Sequence, residues 1–161
     1  MGKARDPVTR ATRALRAAGV SYTGHAYKYE ERGGTAVCAR ELGIDEHMVV
    51  KTLVMEDESG SPFLVLMHGD MNVSTRELAR SMGVRSVSPC DPRDAERHTG
   101  YQVGGTSPFG TLKMLPVYME ESIMALPLIY INGGRRGFLV SMSPSDASAL
   151  LRPLTVRVGR E

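Results

Sequence analysis

Gly100-Tyr101-Gln102-Val103-Gly104-Gly105-Thr106-Ser107-Pro108-Phe109-Gly110 is the segment around which the rest of the chain arranges itself. Four glycines and a proline in so short a run exclude a helix and make a poor strand. Glycine opens backbone angles that other residues avoid and lets a ligand approach the main chain, while Pro108 stiffens one point. Such a loop can turn several N–H groups toward one spot and form a nest for a negative or partly negative oxygen. The same composition also suits a tight connection with incidental glycines, and pattern alone leaves both readings open. A nucleotide P-loop is excluded. Gly105 and Gly110 have the outer spacing, but Thr111-Leu112 stand where Lys-Ser/Thr is required.

Working outward, Asp91-Pro92 starts a short helix that delivers the chain to Gly100. After the loop a strand is expected near residues 112–119, a short helix near 120–125 and a strand at 128–132. Gly133-Gly134-Arg135-Arg136-Gly137 then turns the chain into a partner strand at 138–142. Ser143-Pro144 opens a last helix through Leu151, and residues 155–158 form a final edge strand. Toward the N-terminus, Ser74 and Glu77 form a capping box for a helix that ends at Met82-Gly83, followed by a brief strand at 84–87. Val49-Val50-Lys51-Thr52-Leu53-Val54-Met55 and residues 63–68 are strands joined through Asp57-Glu58-Ser59-Gly60 as a hairpin. The first helix is expected to use Asp6 as N-cap and Pro7 as its first residue, to bury Val8, Ala11, Leu15 and Ala18, and to close at Gly19. A strand at 21–29 and a helix at 35–42, stopped by Gly43, complete the chain. Strands joined mostly by hairpins and flanked by short helices predict an α+β fold: one domain over residues 1–161 with a curved, mixed sheet.

Length agrees with one domain. No run approaches the roughly 18 apolar residues of a membrane span, and Met1-Gly2-Lys3-Ala4-Arg5-Asp6-Pro7 leads into no apolar leader core. The expected compartment is the cytoplasm, where Cys38 and Cys90, which lack metal-type or redox-type spacing, stay reduced. A net charge of +2 is too small for a protein that coats long nucleic acid, although a local basic cluster suffices to hold one end. Arg10, Arg13 and Arg16 fall on one side of the first helix, either as a solvated face or as such a cluster.

Alternation along the strand at 49–55 puts Lys51 on one face with Val49, Leu53 and Met55. An ammonium there either snorkels to water or meets an anion, since its unpaired burial costs several kcal/mol in rough terms. The Gly133-Gly134-Arg135-Arg136 turn is a plain hairpin or a phosphate grip. His25, His47, His68 and His98 have no paired spacing, which argues against a metal site. No Gly-x-Ser-x-Gly elbow occurs, Ser107 precedes a proline, and Cys38 sits within an apolar helical pattern. With no tryptophan and few aromatics, a stacking platform for many bases is not expected.

Three of these stretches together resemble the YbaK family, the stand-alone relatives of the prolyl-tRNA synthetase editing (insertion) domain. They are Val50-Lys51-Thr52-Leu53, the loop from Thr99 to Gly110 with its Gly-x-x-x-Pro element at Gly104 to Pro108, and Ile129-Tyr130-Ile131-Asn132-Gly133-Gly134-Arg135-Arg136-Gly137. The resemblance spans nearly the whole chain. It implies a metal-free, cofactor-free aminoacyl-tRNA deacylase that clears mischarged tRNA in trans, typically tRNA for proline carrying cysteine or alanine. It also implies contact with the acceptor end and association with prolyl-tRNA synthetase as a possible partner. A synthetase pocket separates small apolar side chains by only about 1–3 kcal/mol, so a second site is needed. Carried over residue by residue, the resemblance makes Lys51 the contact near the terminal adenosine and Gly105 the centre of an oxyanion nest. It places Tyr27, Thr52, Gly104, Thr106, Ser107, Pro108, Asn132 and Gly133 around the substrate. The attacking group is water, giving ester hydrolysis, or the thiol of a cysteinyl substrate, giving a cyclic thiolactone. This chain departs from many relatives at Asn132, where serine is frequent, and at Leu139, where some carry aspartate. Those departures leave two alternatives: a non-catalytic module that binds a tRNA acceptor end or a nucleotide, and a hydrolase of small esters. Oligomeric state is not legible.

Overall fold

A computed structural model describes residues 6–161. Residues 1–5, part of the segment read above as lacking a leader, lie outside the described residues. In chain order the elements are α1 (Arg10–Ala17), β1 (Thr23–Ala26), α2 (Gly34–Leu42), a 3-10 turn (Glu46–Met48), β2 (Val49–Asp57) and β3 (Pro62–His68). Next come β4 (Asn72–Val73), α3 (Thr75–Met82), β5 (Val87–Pro89), α4 (Pro92–Thr99) and β6 (Val117–Glu120). A second 3-10 turn (Glu121–Ala125), β7 (Ile129–Arg135), β8 (Phe138–Met142), α5 (Pro144–Leu151), β9 (Leu154–Val156) and β10 (Gly159–Arg160) complete the chain.

One mixed sheet carries the order β1-β8-β7-β2-β3-β6-β9, with β5 added beside β2, while β4 and β10 form a separate pair. The β2–β3 and β7–β8 hairpins are antiparallel, and β2–β7, β3–β6 and β6–β9 run parallel. This is the α+β architecture with a mixed sheet and short helices that the sequence predicts. β3 is apolar on both faces because both are covered. Leu64 and Leu66 join Ala11 and Leu15 of α1, Phe109, Ile131, Phe138, Val140 and Ala147 of α5 in one cluster. Phe63, Val65 and Met67 point the other way, into Leu78 and Ala79 of α3. A third, smaller cluster sets Cys38 and Ala39 of α2 against Val49 and Leu139. Full burial of each large aliphatic or aromatic side chain contributes about 1.5–3 kcal/mol.

Local signals held where the capping chemistry is unambiguous. Asp91 caps α4 with Pro92 in the first turn, Ser143 caps α5, and Gly43, Gly83 and Gly100 end their helices in the left-handed conformation. Ser74 accepts from the Glu77 amide, but Glu77 turns its carboxylate to Arg160 at 3.7 Å. The first helix starts later than its Asp-Pro signal. Thr9 is the N-cap, bound reciprocally to Thr12, whose hydroxyl stands in for the usual Glu. Asp6 instead lies against Gly24, and Val8 is exposed while Thr12 is buried. The strand expected at 84–87 forms at Val87–Pro89, and that expected near 112–119 contracts to Val117–Glu120, leaving Leu112 and Met114 exposed.

The glycine loop is fastened to α1 at its far end. Arg10 Nε donates to the Gly110 carbonyl at 3.1 Å, and the Gly110 φ of +66° belongs to the left-handed region. A Cβ at Gly110 would run into the Arg10 carbonyl, backbone that cannot swing aside. Gly110→Ala therefore combines strain with overpacking and should cost about 1–3 kcal/mol. A urea titration checks this; an unchanged midpoint would mean the α1 contact yields freely.

Candidate active site

β2 is the strand whose pairing fails in the middle. The Gly69 N–H donates to the Val49 carbonyl at 2.6 Å and the Asp57 N–H to the Ser61 carbonyl at 3.2 Å, so odd-numbered residues of β2 aim their backbone groups toward β3. Even-numbered residues aim the other way. On that side the ladder to β7 ends at Val50 with Ile131, and the ladder to β5 begins at Met55 with Pro89. Val54 is served by the Cys90 N–H at 3.0 Å. Thr52 is left facing no strand among the described residues, and its Oγ1 is a buried atom without a hydrogen-bond partner. A buried hydroxyl in that state costs on the order of 1–3 kcal/mol, which a ligand can recover.

The break opens into a cavity of about 730 Å³, within the usual range for ligand sites. Its walls are β2, the Tyr27 and Tyr29 segment after β1, Val37 and Cys38 of α2, the loop at Val103, Gly104 and Thr106, and Asn132, Arg136 and Leu139 of the β7–β8 hairpin. Cys90, Pro92 and Ala95 form another side, and the segment Glu30 to Arg32 with Gly34 and Thr35 completes the lining.

Lys51 enters this cavity half-buried. Its Nζ reaches only the Gly69 carbonyl at 3.5 Å, a long contact that leaves donors unspent. Burial holds its pKa below the ordinary lysine value, and the charges of Glu46 and Asp70 draw it part of the way back. Neither carboxylate lies in ion-pair contact with it. Glu46 accepts from Thr35 Oγ1 at 2.7 Å, and Asp70 pairs with His47 at 2.9 Å. A half-buried ammonium with unspent donors is poised for an anionic or strongly polar ligand.

The thiols are poorly suited to attack. Burial, then hydrogen bonding to Cys38, pushes the Tyr27 hydroxyl well above its usual pKa, and burial likewise raises Cys38. Cys90 is pushed up to about 11 by burial, then by Glu56 and Asp94. Both thiols are therefore protonated at neutral pH, and a thiol is a weak nucleophile beside its thiolate.

The glycine loop is held over the cavity by two side chains of the hairpin. Asn132 Nδ2 donates to the Gly104 carbonyl at 3.1 Å, while its Oδ1 accepts from the Gly134 and Arg135 N–H groups at 2.7 and 3.1 Å and shapes the bulge in β7. Arg136 Nε donates to the Val103 carbonyl at 2.8 Å and its guanidinium lies 5.0 Å from the Tyr29 ring centroid. Two carbonyls of the loop are thus taken up by side chains of the cavity wall.

Of the residues singled out from the sequence, Tyr27, Lys51, Thr52, Gly104, Thr106 and Asn132 line the cavity together. Gly105 does not. It is buried against the backbone of Arg135 and Arg136, and its N–H donates to the Gln102 carbonyl at 2.8 Å. That amide is already spent. Between residues 102 and 107 the loop N–H groups without a partner among the described residues are those of Gln102, Val103, Gly104, Thr106 and Ser107, and of these residues Val103, Gly104 and Thr106 line the cavity. Ser107 is buried with its Oγ accepting from the Phe109 N–H at 3.2 Å, Pro108 is buried, and the Gly133 carbonyl accepts from Thr9. These three stand behind the cavity wall and shape it from there. Sequence reasoning missed Tyr29, Cys90 and the loop-holding role of Arg136, whose partners are distant in the chain. Among the described residues no group of three or more His, Cys, Asp or Glu could hold a metal ion.

Residues 30–150 match the aminoacyl-tRNA editing domain family. The chain belongs to that family. Among individual editing-domain relatives, EbsC of Enterococcus faecalis, a candidate Cys-tRNA(Pro)/Cys-tRNA(Cys) deacylase, is 29% identical over 88% of this chain and 87% of its own length. A proline–tRNA ligase of Brachyspira hyodysenteriae is 23% identical over 53% of this chain, which corresponds to 15% of the ligase. The editing-domain fold is also that of a crystal structure of a candidate trans-editing enzyme for prolyl tRNA synthetase, at a TM-score of 0.82 and 22% identity over 94% of this chain and 96% of that one. The crystal structure of APE2540 superposes at a TM-score of 0.85 and 22% identity, over 94% and 99% of the two chains.

Replacing Asn132 or Arg136 by alanine should free the loop at a cost of about 0.5–1.5 kcal/mol per lost hydrogen bond, more for the guanidinium. Amide hydrogen exchange reads this directly: faster exchange at residues 103–106 is expected, and unchanged protection there would contradict the two ties. Lys51→Met should stabilise the fold at neutral pH, because the buried ammonium is removed. The folded pKa of Lys51 is depressed, so wild type regains stability as pH rises from that value to the ordinary lysine value. The advantage of the variant should therefore shrink toward about pH 10.5 in paired urea titrations.

Proposed function

We propose that this protein is an aminoacyl-tRNA deacylase that clears mischarged tRNA by positioning the ester and stabilising charge, without an enzyme nucleophile. The observation that carries the reading is the gap in β2. It gathers the Lys51 ammonium, the unpartnered Thr52 hydroxyl and the free N–H groups of Gly104 and Thr106 around one cavity. The terminal adenosine and its aminoacyl group enter there. Lys51 meets phosphate or ribose oxygen, and Thr52 bonds a substrate hydroxyl or carbonyl. The Gly104 and Thr106 amides face the ester oxygen as it becomes negative, each such donor being worth about 2.7–4 kcal/mol.

Water attacks the carbonyl carbon, the ester C–O bond breaks, and the ribose oxygen leaves with a proton. With a cysteinyl substrate, its own thiol attacks instead; the thiol proton passes to the leaving ribose oxygen and a cyclic thiolactone is released. An ester is already activated, which is why protonated Cys38, Cys90 and Tyr27 are adequate as walls. The cavity side formed by Val37, Cys38 and Leu139 is apolar and suits a small side chain such as that of cysteine or alanine. The names of EbsC and of the proline–tRNA ligases point the same way and favour tRNA for proline, with prolyl-tRNA synthetase as the source of the errors and the cytoplasm as the site of action. Among the described residues no helix is long and apolar enough to cross a membrane.

Asn132 spends one end of its amide on the loop and the other on the β7 bulge, so its presence in place of serine supports the scaffold and does not argue for lost activity. The test is a panel of mischarged tRNAs incubated with wild type and Lys51→Ala. Wild type should release the amino acid from at least one member, and the variant should lose about 10²–10³-fold in kcat/KM. Binding without turnover on every member would replace the enzyme with a binding module. Near-normal turnover by the variant would remove Lys51 from the mechanism. Because loss of the Lys51 proton weakens anion binding, KM for tRNA should rise at alkaline pH, starting below the ordinary lysine pKa.

A further inference from the structure

We infer that a second cavity, lined by arginines beside β5, holds the sugar–phosphate backbone of the RNA whose end enters the β2 gap; this rests on the deacylase reading. The hollow has a volume of about 420 Å³. Arg76 and Arg80 reach it from α3, one helical turn apart, and Arg85 reaches it from the turn before β5. The residues Thr75 and Ser86 add hydroxyl groups, and Ala79, Val84 and Val87 make the floor.

Elsewhere on the surface Arg40, Arg97, Arg157 and Arg160 each meet a carboxylate within 4 Å. Among the described residues no such partner exists for Arg76, Arg80 or Arg85. Three like charges around one concavity repel one another, and the nearby Glu58 carboxylate, which accepts from the Arg85 N–H at 3.2 Å, forms no ion pair with any of the three guanidinium groups. A chain of phosphates offsets that repulsion. Guanidinium groups pair with phosphate oxygens through two parallel hydrogen bonds, and the hydroxyls suit phosphate or ribose oxygen.

The position fits the same RNA. Val87 at the start of β5 borders this hollow, and Cys90, just past its end, borders the main cavity. Three extended residues span about 10 Å. At about 3.4 Å per nucleotide in a stacked strand, the stretch of β5 between the two borders matches about three nucleotides. No aromatic side chain lines the hollow, so bases are not stacked there. The contact is to backbone, and it positions the RNA without reading its sequence.

The experiment measures binding of an uncharged hairpin RNA with a short single-stranded 3′ end, by fluorescence anisotropy across a salt series. Arg76→Glu/Arg80→Glu should weaken binding about tenfold or more near 0.1 M salt. It should also lower the slope of log Kd against log salt by about 1.4–1.8, the value for two lost phosphates. Changing the bases of the hairpin should leave the effect of the substitution in place. Unchanged affinity and slope would overturn the inference. So would a loss confined to Arg13→Glu/Arg16→Glu, which places the RNA on α1, or a variant that loses only its adhesion to phosphatidylserine vesicles. Because uncharged RNA is the probe, failure of wild type to cleave any ester removes the deacylase reading and leaves this measurement to stand or fall separately.

Discussion

The site depends on one interruption in backbone pairing. β2 is tied to β3 along its whole length, yet on its other side it is passed from β7 to β5 with Thr52 between them. A sheet normally heals such a gap, because unpaired backbone groups away from water are costly. Here the bulge in β7 bends that strand away just after Ile131, and Asn132 at the bend turns its amide group onto the glycine loop. The same residue therefore opens the sheet and sets the loop across the opening. The cavity follows from that geometry, and so does the concentration of unspent hydrogen-bonding capacity inside it.

The electrostatics agree with the geometry. The cavity is burial-dominated: Lys51 is pulled down, and Tyr27, Cys38 and Cys90 are pushed up. Every one of those shifts disfavours the charged form, as a partly dry site must. Glu46 and Asp70 offset part of the burial of Lys51, and neither carboxylate is in ion-pair contact with its ammonium. An uncompensated charge of this kind lowers stability and raises affinity for an anion. That is the usual relation between a binding site and the fold that carries it.

Much of the fold was legible because its signals are local. Asp91-Pro92, Ser143-Pro144 and the glycines that end α2, α3 and α4 act within a few residues, and each does what its chemistry dictates. The failure at Asp6 is instructive. Its carboxylate was drawn to Gly24 in β1, a contact invisible in sequence, and the Thr9–Thr12 pair took over the cap. Lys51 could be singled out as a charge among apolar neighbours and Gly104 as part of a run that makes a poor strand, whereas Thr52 came only with the family resemblance. The role of Arg136 could not be read, since its Val103 partner is set by tertiary packing. Gly105 shows the limit most clearly. A glycine-rich run says that amides are available, and only the folded loop says that this one is already bonded to Gln102.

The most direct test of the account is to titrate the protein with a non-hydrolysable aminoacyl-adenosine analogue and follow backbone amides by NMR. The account predicts that the Thr52, Gly104 and Thr106 amide resonances shift together and gain exchange protection at one saturable site, while the Gly105 amide, already bonded, keeps its protection. Shifts confined to exposed helices, with those three amides unmoved, would contradict it.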